Sequence, residues 1–477
     1  MSFKKTFFKS ISSFAIYNYI IQALEFLSTI ILSRLLLPEE YGFVAMIAVF
    51  SGFIQLFSNV GIGQSVIRSD YGYTFHKHLY SLSVWMGFGL TATMVLMAWP
   101  IAQFFNNKAL FIPTILIAFK FIIDSFTYIP YALLSKQLRF NTIGKTRLYS
   151  SIFQIALTIL MAWAGFSYWS LIIPLILSPG IQFLYLRANV DMRFRLFGWK
   201  ATKRVFLKIK SLMGNLSLNN LIGYWAGNTD KIIVGKFYTQ TDLGLYNRAF
   251  RFIQFTHKLI TGIFSTVLFP SLKNLMDQGG DVNKEYLDIL RIITLFNMPV
   301  VFILVIFPDE LVYYLWGSNW MGVAEFLPYI GILLIYQSIL GTMPGVFILY
   351  GKERNLLIIN TVNTFLTILF VIAGSFYSML HILIFLTAGI VWVTMPLNLY
   401  FGFYKAFGCS KGLLVKFSLP LVIFGTGLLI TIFYQSPLVL VIILTYVFIS
   451  LFALRKSLND VSRLIKKFFS STKKLQK

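Results

Sequence analysis

The sequence predicts an all-α protein that crosses a membrane many times. Of its 477 residues, 57% are hydrophobic and 12% are charged, and the mean hydropathy is +0.75, which is too apolar for a soluble surface. Apolar stretches of about 20 residues recur, and each could cross a hydrocarbon core about 30 Å thick as a helix. The alternation of polar and apolar residues that is typical of strands does not recur. We therefore expect a polytopic α-helical membrane protein.

The apolar stretches predict about fourteen spans. The spans begin near residues 11, 41, 79, 110, 148, 168, 211, 244, 288, 325, 355, 380, 414 and 437. An even number of spans places both termini on the same side. Lysine and arginine in short loops resist translocation, and their distribution places that side in the cytoplasm. The first stretch lacks a small-residue cleavage site, so we expect a retained helix and not a removed signal.

A duplicated pattern divides the chain into two halves of six spans. An offset of 202 residues places LSRLLLPEEYGF (32–43) on VGKFYTQTDLGL (234–245), so that Gly42 matches Gly244 and Glu40 matches Asp242. An even number of spans per half predicts parallel repeats, and hence two six-helix lobes around a central cavity. The predicted segments are an N-lobe 1–186, a basic cytoplasmic linker 187–210, a C-lobe 211–404, two additional spans within 405–454, and a basic tail 455–477.

The net charge of +24 is scattered over the cytoplasmic loops, which argues against a nucleic-acid partner. The tail differs, because its apolar residues recur at helical spacing opposite basic ones, as in a helix that lies on an anionic leaflet. A solvated basic tail is the alternative. The apolar residues of this pattern are Leu458, Val461, Ile465 and Phe468.

Several activities are excluded by missing residues. Cys409 is the only cysteine and the four histidines form no ligand set, so we expect no metal and no cofactor. The nearest match to a phosphate-binding loop is GKT at 144–146, but Arg139 stands where that pattern needs its first glycine. A polymerase or glycosyltransferase would need a large external loop, whereas the acidic clusters at 38–40 and 308–310 lie in short ones. The chain is therefore not expected to be an enzyme.

Charged side chains within the predicted spans are candidates for function, because they are costly in a bilayer. Lys120 and Asp124 are four residues apart, which predicts either a structural ion pair or a cavity pair that opens during transport. Asn18, Gln22 and Glu25 form one polar stripe on span 1. Desolvation would make Glu25 a site for a coupling proton or cation; the alternative is a passive polar wall.

Two spans of the second half are unusually polar. In span 7, the candidate side chains could bind sugar hydroxyls or form contacts between helices. These side chains are Asn215, Asn219, Asn220 and Tyr224. In span 8, Arg248, Arg251 and Lys258 form a cationic stripe. Such a stripe suits an anionic group, since guanidinium groups match phosphate oxygens.

Four stretches together resemble a known family. They are LSRLLLPEEYGFVAM, ALLSKQLRFNTIG, NTDKIIVGKFYTQTDLGLYNRAF and WGSNW. These stretches resemble the Wzx-type polysaccharide flippases, of the lipopolysaccharide and colanic-acid exporter type, in the multidrug/oligosaccharidyl-lipid/polysaccharide exporter superfamily. The resemblance implies a bacterial inner-membrane protein, and we expect it to be a monomer. Its substrate would be an undecaprenyl-pyrophosphate-linked oligosaccharide, turned by alternating access from the cytoplasmic to the periplasmic leaflet.

The resemblance also implies roles for particular residues. Arg251 and Lys258, with Arg248, would bind the pyrophosphate, while the polar face of span 7 would meet the glycan. Some relatives couple transport to a proton or sodium gradient. The expected partners are the lipid-linked substrate, membrane lipids and other polysaccharide-assembly proteins. Relatives that handle pyrophosphate lipids often place cations in both lobes, whereas the cationic stripe found in this sequence is one-sided.

The main alternative is a cation-coupled small-molecule or drug antiporter of the same superfamily. A wide cationic cavity would favour the flippase, and a compact acidic cavity would favour the antiporter. Basic residues outnumber acidic residues within the predicted spans, which favours the flippase.

Overall fold

The structure is a computed structural model that describes residues 3–58, 61–68, 73–190, 195–434 and 438–454. The described residues form helices joined by short turns, and they contain no β-strand. The predicted all-α fold is therefore confirmed. The chain divides into two compact units, Met1–Gly244 and Leu245–Lys477, and the division falls inside one long helix.

Among the described residues, the first unit contains ten α-helices and the start of an eleventh. They are α1 (Phe3–Leu35), α2 (Pro38–Gln55), α3 (Ile62–Arg68), α4 (Tyr73–Phe104), a 3₁₀ turn (Lys108–Leu110), α5 (Phe111–Ser125), α6 (Tyr128–Lys136), α7 (Phe140–Trp163), α8 (Trp169–Ala188), α9 (Trp199–Ala226), α10 (Thr229–Phe237) and the first turn of α11 (Gln240–Asp277).

The second unit contains the rest of α11 and the helices that follow it. They are α12 (Val282–Ile306), α13 (Pro308–Trp316), a 3₁₀ segment (Ser318–Phe326), α14 (Leu327–Leu349), α15 (Glu353–Ser375), α16 (Met379–Gly389), a π-helical turn (Ile390–Thr394), α17 (Met395–Asn398), a second π-helical segment (Leu399–Ala406), α18 (Lys411–Phe433) and α19 (Val439–Leu454).

The helices have the length and the surface of membrane spans. Among the described residues, nine helical segments of 20 to 32 residues are long and apolar enough to cross a membrane. Large apolar side chains such as Leu96, Trp163 and Phe448 are more than two-thirds exposed, as expected where a helix contacts lipid. Each predicted span start falls within a helical segment or within two residues of one. The number fourteen stays a prediction.

Small and hydroxylated residues hold α4 against α5. The Ser83 hydroxyl donates to the carbonyl of Ser125 at 3.0 Å, and the Thr91 hydroxyl donates to the carbonyl of Ala118 at 2.9 Å. A Cβ atom at Gly87 would lie 2.7 Å from the Ser125 side chain, so glycine permits this close approach. Such pairs are typical between helices in a bilayer, where water does not drive apolar surfaces together.

Gly144 has a similar role between α1 and α7. A Cβ atom at this position would lie 2.3 Å from the Tyr17 ring, so any other residue would force the two helices apart. The glycine of the GKT sequence is thus a packing residue on a helix.

The predicted spans 13 and 14 correspond to α18 and α19, which pack into the second unit. The Tyr336 hydroxyl of α14 donates to the carbonyl of Leu421 on α18 at 2.8 Å, and Gly425 leaves room for that hydroxyl. The Phe424 and Tyr446 rings lie 4.5 Å apart, and α19 also contacts α12.

Phe197, within the predicted linker 187–210, is attached to α4. The N–H of Phe197 donates to the Ser81 hydroxyl at 3.0 Å, and the Trp85 indole N–H donates to the carbonyl of Phe197 at 3.0 Å. The predicted lobe and linker boundaries stay predictions, and the predicted tail 455–477 lies outside the described residues.

Candidate functional site

Two helix starts that share the duplicated sequence also share the same cap. The N–H of Leu37 donates to Glu40 Oε2 at 2.7 Å, and the N–H of Thr239 donates to Asp242 Oδ2 at 3.0 Å. In return, the N–H of Asp242 donates to the Thr239 hydroxyl at 3.1 Å. A carboxylate at this position satisfies a free N–H group and interacts favourably with the helix dipole. The cap thus recurs at the offset of 202 residues found in the sequence.

Gly42 and Gly244 bring these two helix starts into backbone contact. A Cβ atom at Gly42 would lie 1.7 Å from the carbonyl oxygen of Gln240, and one at Gly244 would lie 1.9 Å from the carbonyl oxygen of Pro38. Pro38 and Gln240 are themselves related by the offset of 202 residues. The contact is therefore reciprocal, because each helix start supplies one glycine and one carbonyl group, and neither glycine position has room for a side chain.

Arg248 is buried by the WGSNW sequence. Its guanidinium carbon lies 4.3 Å from the centroid of the Trp320 ring and 5.7 Å from that of Trp316, and the residue is 4% exposed. Gly317 makes the turn between α13 and the following 3₁₀ segment with a φ of 88°, a value that favours glycine. The two tryptophans provide a cation–π environment. We therefore assign Arg248 to the packing of the second unit and leave it out of the site proposed below.

Arg251 and Lys258 are both exposed on α11. They are seven residues apart, which is about two helical turns and about 10.5 Å along the axis, so they share one face. Phe255 and Gln254 lie between them in the sequence. Of the predicted three-residue stripe, these two cations are the ones that can reach a group outside the protein.

Arg147 is a cation that the sequence analysis missed. Its guanidinium Nη1 donates to Asn18 Oδ1 at 2.8 Å, and its guanidinium carbon lies 5.8 Å from the Phe14 ring centroid. The side chain is exposed on α7, one turn after the packing residue Gly144. The predicted start of span 5 near residue 148 left Arg147 one residue outside the span. The feature of the sequence that could have identified Arg147 is its position three residues after Gly144.

The other two residues of the span 1 stripe differ in environment. Within the described part of the chain, the Gln22 side-chain oxygen is buried and has no hydrogen-bond partner. Glu25 is exposed on α1. Asn18 thus contacts Arg147, Gln22 presents an unused acceptor, and Glu25 is accessible. The role of Glu25 in ion coupling stays a prediction.

Lys120 and Asp124 form an ion pair across one turn of α5. Their side chains are 22% and 12% exposed, so the pair is largely removed from the surface. A second pair on α12, which the sequence analysis did not single out, joins Arg291 Nη1 to Asp288 Oδ1 at 2.7 Å. Pairing lowers the cost of keeping both charges in an apolar environment.

Tyr224 contacts α2 with its hydroxyl group. The hydroxyl donates to the carbonyl of Val49, and Gly52 leaves room for it, since a Cβ atom there would lie 2.7 Å from the Tyr224 oxygen. For Tyr224, a polar residue of predicted span 7, the structure therefore shows a contact between helices, which was the alternative to binding sugar hydroxyls. The side chains of Asn215, Asn219 and Asn220 lie outside the described part of the structure, so their role stays a prediction.

No group of three or more His, Cys, Asp or Glu residues that could hold a metal ion occurs among the described residues. Cys409 is buried, and burial, with the nearby Asp281 carboxylate as a second cause, raises the pKa of its thiol. The thiol is therefore a poor nucleophile at neutral pH.

The apolar helices and their lipid-compatible surfaces define a multi-pass α-helical membrane protein. Residues 31–325 match the family described as polysaccharide biosynthesis protein, which is more than half of the chain, and the chain belongs to this family. The family resemblance found in the sequence is thereby confirmed. The chain is a bacterial membrane protein and not an enzyme.

Two relatives and one solved structure illustrate the similarity. The chain is 24% identical over 330 residues to an uncharacterized membrane protein in the cps region of Klebsiella pneumoniae, covering 69% of this chain and 68% of that protein. It is 21% identical over 374 residues to the lipopolysaccharide biosynthesis protein WzxC of Escherichia coli strain K12, covering 76% and 73%. The fold is similar to the lipid II flippase MurJ in an inward closed conformation, with a TM-score of 0.69, 14% identity, and coverage of 93% and 99%.

The reciprocal glycine contact predicts the effect of adding a methyl group. Gly42→Ala and Gly244→Ala should each lower the free energy of unfolding by about 1 to 3 kcal/mol, since both overpack a backbone contact. The double variant should lose less than the sum, because either substitution alone separates the helix starts. The measurement is thermal unfolding of the purified protein in detergent.

Gly89→Ala is the matched control for this measurement. Apart from the backbone of α4 itself, no atom of the described residues lies within 4 Å of a Cβ built at Gly89, so alanine should be neutral or should stabilise α4 by less than about 1 kcal/mol. Unchanged stability in both Gly42→Ala and Gly244→Ala would refute the contact.

The ion pair on α5 predicts a difference between single and double substitutions. Asp124→Asn should lower stability by about 3 to 5 kcal/mol, because it leaves the Lys120 ammonium unpaired, whereas Lys120→Met with Asp124→Leu should largely restore it. The measurement is again thermal unfolding, together with the amount of inserted protein. Full stability without function in the double variant would favour the cavity-pair alternative. A stable Asp124→Asn variant would show that the pair is not structural.

Proposed function

We propose that this protein is a flippase that moves an undecaprenyl-pyrophosphate-linked oligosaccharide from the cytoplasmic to the periplasmic leaflet of the bacterial inner membrane. The proposal rests chiefly on one observation: a chain of the polysaccharide biosynthesis family carries exposed, permanently charged side chains on long helices. Both termini are predicted to be cytoplasmic. The product would enter the assembly of a surface polysaccharide such as an O-antigen, a capsule or an exopolysaccharide.

The chemistry of the substrate explains the need for these cations. A pyrophosphate diester is anionic, and a charge at the centre of a bilayer is costly. Arginine remains charged at any physiological pH and can donate two parallel hydrogen bonds to phosphate oxygens. In this proposal Arg251 and Lys258 bind the pyrophosphate from α11.

Arg147 is the candidate cation of the first unit. The hydrogen bond to Asn18 orients the guanidinium group, and the exposed side chain still has other N–H groups available. Each compact unit therefore presents exposed cations from its own helices. In this proposal Arg147 is added to the predicted stripe, which lies on one side only.

The sugar part of the substrate requires neutral hydrogen-bonding groups. Asn215, Asn219 and Asn220 in α9 are our candidates, because amides both donate to and accept from hydroxyl groups. We also propose that Gln22 lines the same route, since its buried side-chain oxygen is an unused acceptor in the described structure. The sequence predicts no cofactor, and Glu25 is the proposed site for a coupling proton or sodium ion.

The duplicated helix starts fit a mechanism of alternating access. The contact of Gly42 with Gly244 brings backbone atoms together, and a carboxylate cap closes each helix start. A backbone contact of this kind can separate and close again. We propose that this contact opens when the substrate leaves on the periplasmic side, and that the protein works as a monomer.

Loss of the gene tests the proposed function directly. Cells that lack this protein should accumulate lipid-linked repeat units that remain on the cytoplasmic leaflet, because synthesis continues while translocation stops. Lipid extraction followed by mass spectrometry measures the accumulation, and the accessibility of the glycan to an external glycosidase in spheroplasts reports the leaflet. No accumulation, with a gain in sensitivity to cationic dyes, would point to the antiporter.

Substitution of the cations tests the proposed pyrophosphate site. Arg147→Gln, Arg251→Gln and Lys258→Gln should each reduce export by about tenfold or more, the loss expected when a charge-assisted hydrogen bond is removed. The measurement is surface polysaccharide and accumulated lipid intermediate at matched protein levels.

Two further variants serve as controls for the cation substitutions. Arg354→Gln removes an exposed arginine at the start of α15, outside the proposed site, and should export normally. Arg251→Lys keeps the charge and should retain part of the activity. Normal export in all three glutamine variants would show that these cations do not bind the pyrophosphate. The flippase proposal itself would then still be tested by the deletion experiment.

A further inference from the structure

A groove runs between the second π-helical segment and α18 in the second unit. It encloses a cavity of about 320 Å³. Its walls are mainly apolar and include Leu399, Leu414, Val415 and Val422. Val415 is 55% exposed, so the groove is open to the outside of the helix pair.

The local structure explains why the groove stays open. Phe403 is buried, and Gly402 packs so closely on α14 that a Cβ atom there would lie 2.7 Å from the Met343 methyl group. The inner face of the π-helical segment is thus occupied. The wider π-helical turn directs Tyr400 and Tyr404 toward α18, where both line the groove.

Two lysines lie near the turn that joins the helices: Lys411 lines the groove, and Lys405 contacts the ring of Tyr400, which also lines it. The Lys405 ammonium lies 5.2 Å from the Tyr400 ring centroid and 5.0 Å from that of Phe401. The Lys411 ammonium lies 5.5 Å from the Tyr404 ring centroid. In the described part of the chain, neither lysine forms an ion pair with a carboxylate. Both charges are therefore available to an anion.

The length of the groove matches one leaflet. Lys411 and Val422 are eleven residues apart on α18, a rise of about 16 Å. Half of a hydrocarbon core about 30 Å thick is about 15 Å. The predicted topology places the turn between Lys405 and Lys411 in the cytoplasm, where lysine clusters attract anionic headgroups.

We propose that this groove binds one anionic phospholipid of the cytoplasmic leaflet. Its phosphate would lie between Lys405 and Lys411, with one acyl chain along Leu414, Val415 and Val422. This lipid is a resident ligand and not the transported one, so the proposal goes beyond the proposed function. Bound in this way, it would join α18 to the preceding helix at the membrane surface.

The test is native mass spectrometry of the full-length protein in detergent, titrated with phosphatidylglycerol or phosphatidylcholine. The wild type should bind one phosphatidylglycerol in preference to phosphatidylcholine. Lys405→Gln with Lys411→Gln should weaken this binding by roughly 30-fold, the loss expected for two surface lysines. Lys352→Gln, which removes an exposed lysine from another predicted cytoplasmic turn, should bind as the wild type does.

A second variant distinguishes lipid binding in the groove from lipid binding to a charged surface. Val415→Trp fills the apolar channel and keeps both lysines, so it should weaken phosphatidylglycerol binding by at least about tenfold. Unchanged binding in Val415→Trp, or equal affinity for phosphatidylcholine in the wild type, would overturn the proposal.

Competition with undecaprenyl phosphate distinguishes the two possible lipids. If it displaces phosphatidylglycerol at an equal or lower concentration, the groove belongs to the transported lipid and the proposal is wrong. A requirement for a large excess supports a resident phospholipid. Because the assay measures binding without transport, its failure would leave the proposed function untouched.

Discussion

The structure depends on a backbone contact that tolerates no side chain. Gly42 lies against the carbonyl of Gln240, Gly244 lies against the carbonyl of Pro38, and the same carboxylate cap closes both helix starts. The first compact unit ends at Gly244, at this contact. Because side chains on a helix follow a period of 3.6 residues, the position of Gly244 also determines which faces of α11 carry the cations that follow it. The duplication in the sequence thus has a direct physical consequence, a reciprocal contact between its two copies.

The charged residues of the helices differ in how their charge is compensated. Lys120 and Arg291 each pair with a carboxylate on their own helix, and Arg248 lies against two tryptophan rings. Arg251 and Lys258 are exposed, and Arg147 is exposed while it donates to Asn18. A compensated charge serves the fold, because disturbing it leaves a partner unsatisfied in an apolar environment. An exposed cation without a carboxylate partner on a membrane-length helix has an energetic cost that the fold does not offset. We therefore connect Arg147, Arg251 and Lys258 with an anionic substrate.

The features that the sequence predicts are those whose signal is local or repeated. Hydropathy located the helices, and the offset of 202 residues located the related caps. A residue's environment that comes from distant parts of the chain leaves no such signal. Arg248 was grouped with Arg251 by helical spacing, yet the tryptophans that bury it are about 70 residues away, a contact that periodicity cannot indicate. Arg147 was left out because the span was predicted to begin near residue 148, whereas α7 begins at Phe140; helix boundaries are where sequence patterns are least informative.

The sequence by itself determined the class of protein, the approximate positions of its spans and its family. These follow from composition, hydropathy and motif order, because a bilayer imposes the same apolar length on every spanning helix. Only the tertiary structure decided which polar side chains bind other parts of the protein and which are available to a ligand. Tyr224 donates to the Val49 carbonyl, Gly144 accommodates Tyr17, and Lys405 and Lys411 each contact a tyrosine ring that lines one groove. The physical reason is that burial and hydrogen bonding depend on neighbours brought together by helix packing, and no single helix contains that information.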